Sequence, residues 1–188
     1  MNDRKRGRLV LYTGCSGVGK GTLLQELIKR RNDIWISVSN TTRNPRVGEV
    51  DGVSYNFVSE EEFVDLINKD GYLEYAKYCE NYYGTPKKPV EDKLNDGYIV
   101  FLEIEVQGGL QIMEKYPDVL SVFILPPSLE ELEKRLRKRG TEEEEVIQKR
   151  LKEAENELKF QDKYKYRVVN GKLEDAVDEL HNILDKEI

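Results

Sequence analysis

Apolar residues follow two spacings along the chain, which together predict alternating strands and helices. Nearly continuous apolar runs, typical of strands buried on both faces, lie near residues 9–12, 98–102, 120–125 and 166–169. Helices are predicted where apolar residues lie three or four positions apart, or where a capping box opens a segment, over 23–31, 128–139, 144–158 and 173–184. This alternation predicts an α/β fold with a doubly wound parallel sheet.

The segment over residues 37–96 has a different pattern, with short alternating stretches and many Tyr, Arg and Glu residues. Alternation over 53–57 and 72–78 predicts strands, while 81–85 is expected to turn into a helix over 87–95. We interpret the segment as an insertion between core elements of one domain. Three serine or threonine residues followed by glutamate predict helix-opening capping boxes: Ser59 with Glu62, Ser128 with Glu131, and Thr141 with Glu144.

Composition excludes several classes of protein. The 188 residues include 30 Lys and Arg against 36 Asp and Glu, so the net charge of −6 predicts no chain-wide basic surface for nucleic acid. No apolar stretch approaches the ~20 residues of a membrane span. The only cysteines are Cys15 and Cys79, and the only histidine is His181, which argues against a disulfide framework and against histidine-based catalysis. We expect a cytoplasmic protein without a nucleic-acid or membrane partner.

A glycine-rich loop directly after the first predicted strand is the strongest chemical signal. Its glycines allow backbone N–H groups to approach phosphate oxygens, the helix that follows adds partial positive charge, and a lysine supplies a mobile cation. A glycine-rich turn without a ligand is the alternative. The loop consists of Gly14, Cys15, Ser16, Gly17, Val18, Gly19, Lys20, Gly21 and Thr22.

The position that normally carries a magnesium-binding hydroxyl in such loops is Gly21. Either the neighbouring Thr22 replaces that hydroxyl, or water and phosphates hold the metal, since Mg²⁺ keeps several waters in such sites. Glu103 and Glu105 follow the strand over 98–102, where an acid can hold Mg²⁺ through water. The alternative for both carboxylates is simple exposure to solvent.

Arginine and tyrosine residues in the inserted segment predict a second anion site. Arg43 and Arg46 lie three residues apart around a proline, a spacing that favours binding of a phosphate, and Tyr55 and Tyr83 offer hydroxyl groups. A solvated loop with surface arginines is the alternative. Glu74 lies in a strand-like run, where it is either an exposed carboxylate or a buried one that accepts from the two donors of guanine.

Taken in order over about residues 9 to 170, these motifs resemble the guanylate kinase family, whose members move the γ-phosphate of ATP to GMP. The stretch SVSNTTRNPRVGEVDGVSYNF is the most diagnostic part, and GKGT is a loop variant found in part of the family. The resemblance implies a P-loop core (7–36 and 97–188), a mixed α/β GMP-binding lobe (37–96) and a small helical lid (134–157) within one domain (1–188).

The resemblance also implies roles for individual residues. It assigns the GMP phosphate to Arg43, Arg46, Tyr55 and Tyr83, and the guanine to Ser39, Glu74 and Thr85. Glu103 and Glu105 match an acidic pair in which aspartate is frequent, which leaves open which one reaches guanine and which the metal–water shell. Lys20 and the lid residues Arg139 and Arg150 would contact the ATP phosphates, and Asn170 would lie near the adenine.

The expected reaction is a direct in-line transfer from ATP, assisted by Mg²⁺, to GMP and dGMP. Two alternatives remain at this point: a kinase for AMP, UMP or dUMP-like acceptors, and a non-enzymatic scaffold module of the same fold. The block over 39–46 and Glu74 argue against the first, and Lys20, Arg139 and Arg150 argue against the second. The sequence leaves open whether the protein is a monomer or a homodimer.

Overall fold

The computed structural model of the protein describes residues 6–78, 80–138 and 144–188. The chain forms two compact units. One unit comprises the described residues up to Leu9 together with Asp33–Leu102 and Gln107–Val119. The other comprises Val10–Asn32, Glu103–Val106 and the described part of Leu120–Ile188.

The larger sheet has five parallel strands, as the apolar runs predict. Numbered along the chain, its strands are β1 (Leu9–Gly14), β2 (Ile34–Ile36), β7 (Ile99–Glu103), β8 (Leu120–Leu125) and β9 (Tyr166–Val169). Their order in the sheet is β2-β7-β1-β8-β9. Tyr12 lies opposite Val122 in the pairing of β1 with β8, and both side chains are fully buried. Burial on both faces is typical of parallel sheets in α/β proteins, so the predicted fold class is confirmed.

In the described part of the second unit, four helices carry the buried apolar stripes. They are α1 (Lys20–Arg30), α5 (Leu129–Lys138), α6 (Glu144–Leu158) and α7 (Leu173–Glu187), and a short 3₁₀ turn spans Gln161–Lys163. Helices α1 and α7 pack against each other. Lys29 and Arg30 lie in the last turn of α1, where cations complement the helix dipole.

The smaller sheet lies wholly within the first unit and has mixed strand directions. Its strands are β3 (Asn40–Thr41), β4 (Asn56–Phe57), β5 (Tyr72–Tyr78) and β6 (Asn81–Pro86), in the order β4-β3-β6-β5. The same unit contains the helices α2 (Glu60–Asn68), α3 (Lys87–Asn95) and α4 (Val106–Lys115), the last of which starts at the unit boundary. A separate mixed sheet within residues 37–96 agrees with the inserted segment predicted from the sequence.

The capping box that opens α2 is confirmed in both of its hydrogen bonds. The hydroxyl of Ser59 accepts from the backbone N–H of Glu62 at 3.1 Å, and the Glu62 carboxylate accepts from the N–H of Ser59 at 2.8 Å. At the start of α5, the Ser128 hydroxyl accepts from the N–H of Glu131 at 3.1 Å. Thr141 of the third box lies outside the described residues.

Two local predictions were wrong, and one helix was missed. The strand expected over 53–57 is confined to Asn56–Phe57, because residues 52–54 form a turn. Residues 81–86 are not a turn but strand β6, which pairs with β5. Helix α4 was not predicted, since Gly108 and Gly109 interrupt its apolar pattern and glycine is a poor helix former. Among the described residues, no helix has the length and apolar character that crossing a bilayer requires.

Candidate active site

The glycine-rich loop lies between β1 and α1 in the second unit, and two of its glycines are required by geometry. Gly17 and Gly19 have φ angles of 85° and 95°, in the left-handed region that favours glycine. A Cβ atom at Gly17 would lie 2.6 Å from a methyl group of Leu136, and one at Gly19 would lie 2.7 Å from Nδ2 of Asn170. Both the backbone conformation and the close packing therefore require glycine at these two positions.

Lys20 is the first residue of α1, and its side chain turns back over the loop. Its ammonium group donates to the backbone oxygen of Gly14 and, at 3.3 Å, to that of Cys15. The hydroxyl of Tyr12 donates to the backbone oxygen of Lys20 at 3.0 Å, which fixes the start of the helix. The lysine cation thus lies at the loop, where the sequence predicted it.

Cys15 is fully buried in the same loop, and its thiol contacts the backbone oxygen of Ala154 at 3.8 Å. Burial raises the pKa of this thiol to about 12, so it stays protonated at neutral pH. The side chain therefore packs the loop against α6 and carries no charge to a ligand.

Glu103, at the end of β7, lies beside the start of α1. A Cβ atom at Gly21 would be 4.0 Å from Oε1 of Glu103, an ordinary van der Waals distance. Burial raises the pKa of Glu103, while Lys20 opposes that rise. Glu103 is half-buried, so the alternative that both carboxylates face solvent is wrong for this residue. Glu105 is exposed, as that alternative expects.

Glu157, near the end of α6, is a member of this region that sequence reasoning missed. Burial and the neighbouring Glu105 carboxylate raise its pKa to about 7, and the Ser16 backbone N–H of the loop opposes that rise by hydrogen bonding. Glu157 lies one position before Leu158, the last residue of the apolar stripe on α6, and no motif in the sequence indicates it. A group on a helix distant in sequence therefore interacts with the glycine-rich loop.

Asn170 follows β9 and binds the same loop. It is buried, and its Nδ2 donates to the backbone oxygen of Val18 at 2.9 Å. Arg135 on α5 donates to the backbone oxygen of Asn170 at 2.9 Å and, at 3.4 Å, to that of Val18. Arg135 is one of several basic residues over 134–139, and nothing in the sequence distinguishes it from its neighbours.

Of the two arginines expected in a lid, only Arg150 lies among the described residues. Arg150 lies on α6 and is half-buried. Arg139 lies outside the described residues. Arg137 forms hydrogen-bonded ion pairs with Glu133 and Glu144 at the surface of the second unit.

In the first unit, Arg43 is the centre of a compact polar and aromatic cluster. Its guanidinium binds both oxygens of Glu49, at 2.9 and 3.0 Å, and lies 5.5 Å from the ring centre of Tyr55. Hydrogen bonds to Glu49 and Tyr83 raise the pKa of Arg43. The rings of Tyr55 and Tyr83 are 6.0 Å apart and meet edge to face. The cluster therefore brings together three of the four residues expected to bind a phosphate.

Arg46 is held differently from Arg43. Its side chain is exposed, and its backbone N–H donates to Oε2 of Glu49 at 2.8 Å. The proline-containing turn therefore holds one arginine side chain firmly and the other by its main chain.

Glu74 and Thr85 form a buried pair in the small sheet, as direct neighbours across β5 and β6. Glu74 is 5% exposed, and the Thr85 hydroxyl donates to its Oε1 at 2.6 Å. Burial raises the pKa of Glu74, and the bond from Thr85 opposes that rise. The alternative of an exposed strand carboxylate is therefore wrong. Ser39, half-buried beside β3, accepts a 2.9 Å hydrogen bond at its backbone oxygen from Asn56.

The sheet order and the glycine-rich loop at the start of α1 define a P-loop α/β protein. The family model for guanylate kinase matches residues 6–187. This chain therefore belongs to the guanylate kinase family, and it catalyses the reaction of ATP with GMP to give ADP and GDP.

Curated relatives and a solved structure support this assignment over nearly the whole chain. The guanylate kinase of Prochlorococcus marinus subsp. pastoris is 51% identical over 177 residues, which are 94% of this chain and 96% of that protein. The guanylate kinase of Clostridium tetani is 50% identical over 183 residues, 97% of this chain and 88% of the other. A crystal structure of guanylate kinase from Anaplasma phagocytophilum superposes with a TM-score of 0.78 at 34% identity, covering 98% of this chain and 87% of that one.

Proposed function

We propose that the two described clusters divide the reaction between them, with the glycine-rich loop binding ATP and the cluster around Arg43 and Glu74 binding GMP. The buried Glu74–Thr85 pair carries this proposal. A buried carboxylate at 5% exposure with one hydroxyl partner retains acceptor capacity for two further donors, and guanine presents two donors on one edge. A pyrimidine monophosphate or AMP does not offer that pair of donors.

On the donor side, residues Gly14–Thr22 would surround the ATP phosphates with backbone N–H groups, and Lys20 would add its positive charge. Asn170 would lie near the adenine. Arg135 is an addition, because it links Asn170 and Val18 and thereby ties the adenine side to the loop. Arg139 and Arg150 would neutralise the transferred phosphoryl group.

On the acceptor side, the phosphate of GMP would bind Arg43, Arg46, Tyr55 and Tyr83, and the base would bind Ser39, Glu74 and Thr85. None of these proposed contacts involves the ribose 2′-hydroxyl group, so dGMP is expected as a second acceptor. With these roles we propose three parts of one domain: a core over 7–36 and 97–188, a GMP-binding lobe over 37–96 and a lid over 134–157.

The residues beside the loop fit a magnesium ion held mainly by nucleotide and water. Glu103 is a half-buried carboxylate close to the helix start, whereas Thr22 is exposed on α1. Among the residues described, no group of three or more acidic, cysteine or histidine side chains is placed to hold a metal ion. Glu103 would therefore hold Mg²⁺ through water, with Thr22 as the alternative ligand. Glu105 would contact either the water shell of the metal ion or the guanine base. When bound, Mg²⁺ neutralises charge on the ATP phosphates.

The chemistry needs no covalent enzyme intermediate and no strong base. An oxygen of the GMP phosphate, which is already ionised at neutral pH, would attack the γ-phosphorus. The bond from that phosphorus to the β–γ bridging oxygen breaks, and ADP leaves with its electron pair. The residues of this chain would bind two polyanions, orient them and neutralise their charge. We propose the cytoplasm, where ATP and GMP occur, as the location, with a monomer or homodimer as the assembly.

A panel of acceptors tests this proposal. ADP release would be followed with ATP and Mg²⁺ and, in turn, GMP, dGMP, IMP, AMP, UMP and dUMP. GMP should be used best and dGMP measurably, and IMP should be poor because it lacks the 2-amino donor. The Lys20→Met variant serves as a control for contaminating kinase activity, since it should lose turnover while keeping its circular dichroism spectrum. Efficient use of UMP or AMP would refute the proposed base recognition, and binding of GMP without any ADP release would favour the scaffold alternative.

A further inference from the structure

Glu49 has no role in the reaction as described so far, yet its side chain accepts three hydrogen bonds within the Arg43 cluster. Its Oε1 accepts from Nη2 of Arg43 at 2.9 Å, and its Oε2 accepts from Nη1 of Arg43 at 3.0 Å. The same Oε2 accepts from the backbone N–H of Arg46 at 2.8 Å. One carboxylate therefore binds both arginines that are expected to meet a phosphate.

The pair is largely shielded from water. The side chain of Arg43 is 14% exposed and that of Glu49 is 21% exposed. The rings of Tyr55 and Phe57 cover the guanidinium, with ring centres 5.5 and 5.9 Å from its carbon. Bidentate arginine–carboxylate pairs in such surroundings have a fixed geometry, in contrast to solvated ion pairs.

Glu49 leaves one edge of the guanidinium to other partners, and Tyr83 is one of them. A guanidinium has five N–H donors. Glu49 and the backbone oxygen of Asn44 take both donors of Nη1 and one of Nη2. The remaining donors, on Nε and Nη2, share a single edge that can meet Tyr83 and a phosphate. Glu49 therefore orients Arg43 without occupying the edge that a ligand needs.

We propose that Glu49 is a positioning residue for the acceptor phosphate: its carboxylate holds the Arg43 guanidinium and the Arg46 backbone in the arrangement that receives the phosphate group. This inference rests on the proposed function of the cluster. It assigns to Glu49 an action through Arg43 and Arg46, not contact with the nucleotide. The two arginines and Glu49 together carry one net positive charge, so the group still attracts a phosphate anion.

The test compares ligands with and without a phosphate. The probes are GMP and guanosine, measured by isothermal titration calorimetry on the wild-type protein and on Glu49→Gln, which keeps the shape of the side chain and removes its charge. Glu49→Asp is the second variant, with the charge retained on a shorter side chain. Glu61→Gln, on the exposed face of α2 in the same unit, is the matched control.

In Glu49→Gln, the Kd for GMP should rise by about tenfold or more, as expected for loss of charge-assisted hydrogen bonds. The Kd for guanosine should stay within about twofold, and kcat at saturating GMP should fall much less than KM rises. Glu49→Asp should be intermediate, and Glu61→Gln should match the wild type.

The contrary outcomes distinguish failure of the positioning role of Glu49 from failure of the phosphate site itself. An unchanged or tighter GMP affinity in Glu49→Gln would overturn the positioning role, because Glu49 would then be idle or would compete with the phosphate. An equal loss for guanosine would overturn it in favour of general support of the fold. If the wild-type protein binds GMP no better than guanosine, the proposed phosphate site itself fails.

Discussion

The hydroxyl of Thr85 donates to Oε1 of Glu74 at 2.6 Å, across two adjacent antiparallel strands of the small sheet. This bond turns an acidic residue on a strand into a buried acceptor of defined orientation. Because burial raises the pKa of Glu74, a larger fraction of its carboxyl is protonated in weak acid than is usual for glutamate. The pair thus links base recognition to both geometry and pH.

Glu74→Gln should raise KM for GMP by about tenfold or more, because an amide places a donor opposite a guanine donor. KM for ATP should stay within about twofold. In the wild type, KM for GMP should rise on acidification, and the rise should begin at a higher pH than it would for a glutamate with an ordinary pKa. Glu74→Gln should lack this pH dependence. Steady-state kinetics from pH 5 to 8 check both expectations. Equal losses for ATP and GMP would argue against base recognition at this position.

Gly19→Ala should weaken ATP binding as well as folding. The new Cβ would lie 2.7 Å from Nδ2 of Asn170, in addition to the strain of a φ angle of 95°. Gly52→Ala is the matched control, because Gly52 also has positive φ but nothing within 4 Å of its Cβ position. Urea unfolding should show a loss of about 1–2 kcal/mol for Gly52→Ala. Gly19→Ala should lose more and should also raise KM for ATP, whereas equal effects of the two variants would contradict the contact with Asn170.

Arg139→Ala should lower kcat by about a thousandfold or more with little effect on KM for GMP, by analogy with arginine fingers. Arg137→Ala offers a comparison in the same basic run. Since Arg137 is engaged in surface ion pairs with Glu133 and Glu144, its loss should leave kcat close to that of the wild type. Single-turnover measurements with saturating nucleotides distinguish the two. A loss confined to KM in Arg139→Ala would contradict its assignment to the lid.

Glu157 should make the folded protein less stable as the pH rises from about 4.5 to 7. Its pKa is raised from 4.5 to about 7 in the folded state, so the folded state holds a proton that the unfolded state releases in that range. The contribution of the bound proton is present below pH 4.5 and is lost as the pH passes 7. The difference in Tm between wild type and Glu157→Gln should therefore change across this range and level off on either side. Glu105→Gln should reduce this dependence of stability on pH. Parallel curves of Tm against pH for wild type and Glu157→Gln would disprove the contribution of Glu157.

The elements were predictable from sequence where local rules decide them. The apolar runs gave the buried strands, and the Ser59–Glu62 spacing gave the start of α2. The environment of Glu74 was not predictable, because it depends on the register that places Thr85 opposite it. Glu157 and Arg135 escaped notice for the same reason: each acts on the glycine-rich loop from a helix far away in sequence. Local patterns specify elements and loops, whereas long-range pairing specifies which polar side chains are buried together.

Gly21 and Glu103 lie close together beside the start of α1, where one residue has no side chain and the other has a long one. The smallest residue faces a carboxylate on a long side chain, and a Cβ atom on the glycine would come only to 4.0 Å from that carboxylate. A hydroxyl introduced at residue 21 would come within reach of a hydrogen bond to that carboxylate. Replacement of this glycine would therefore change the surroundings of Glu103 as well as the helix start, so substitutions at the two positions are best measured together.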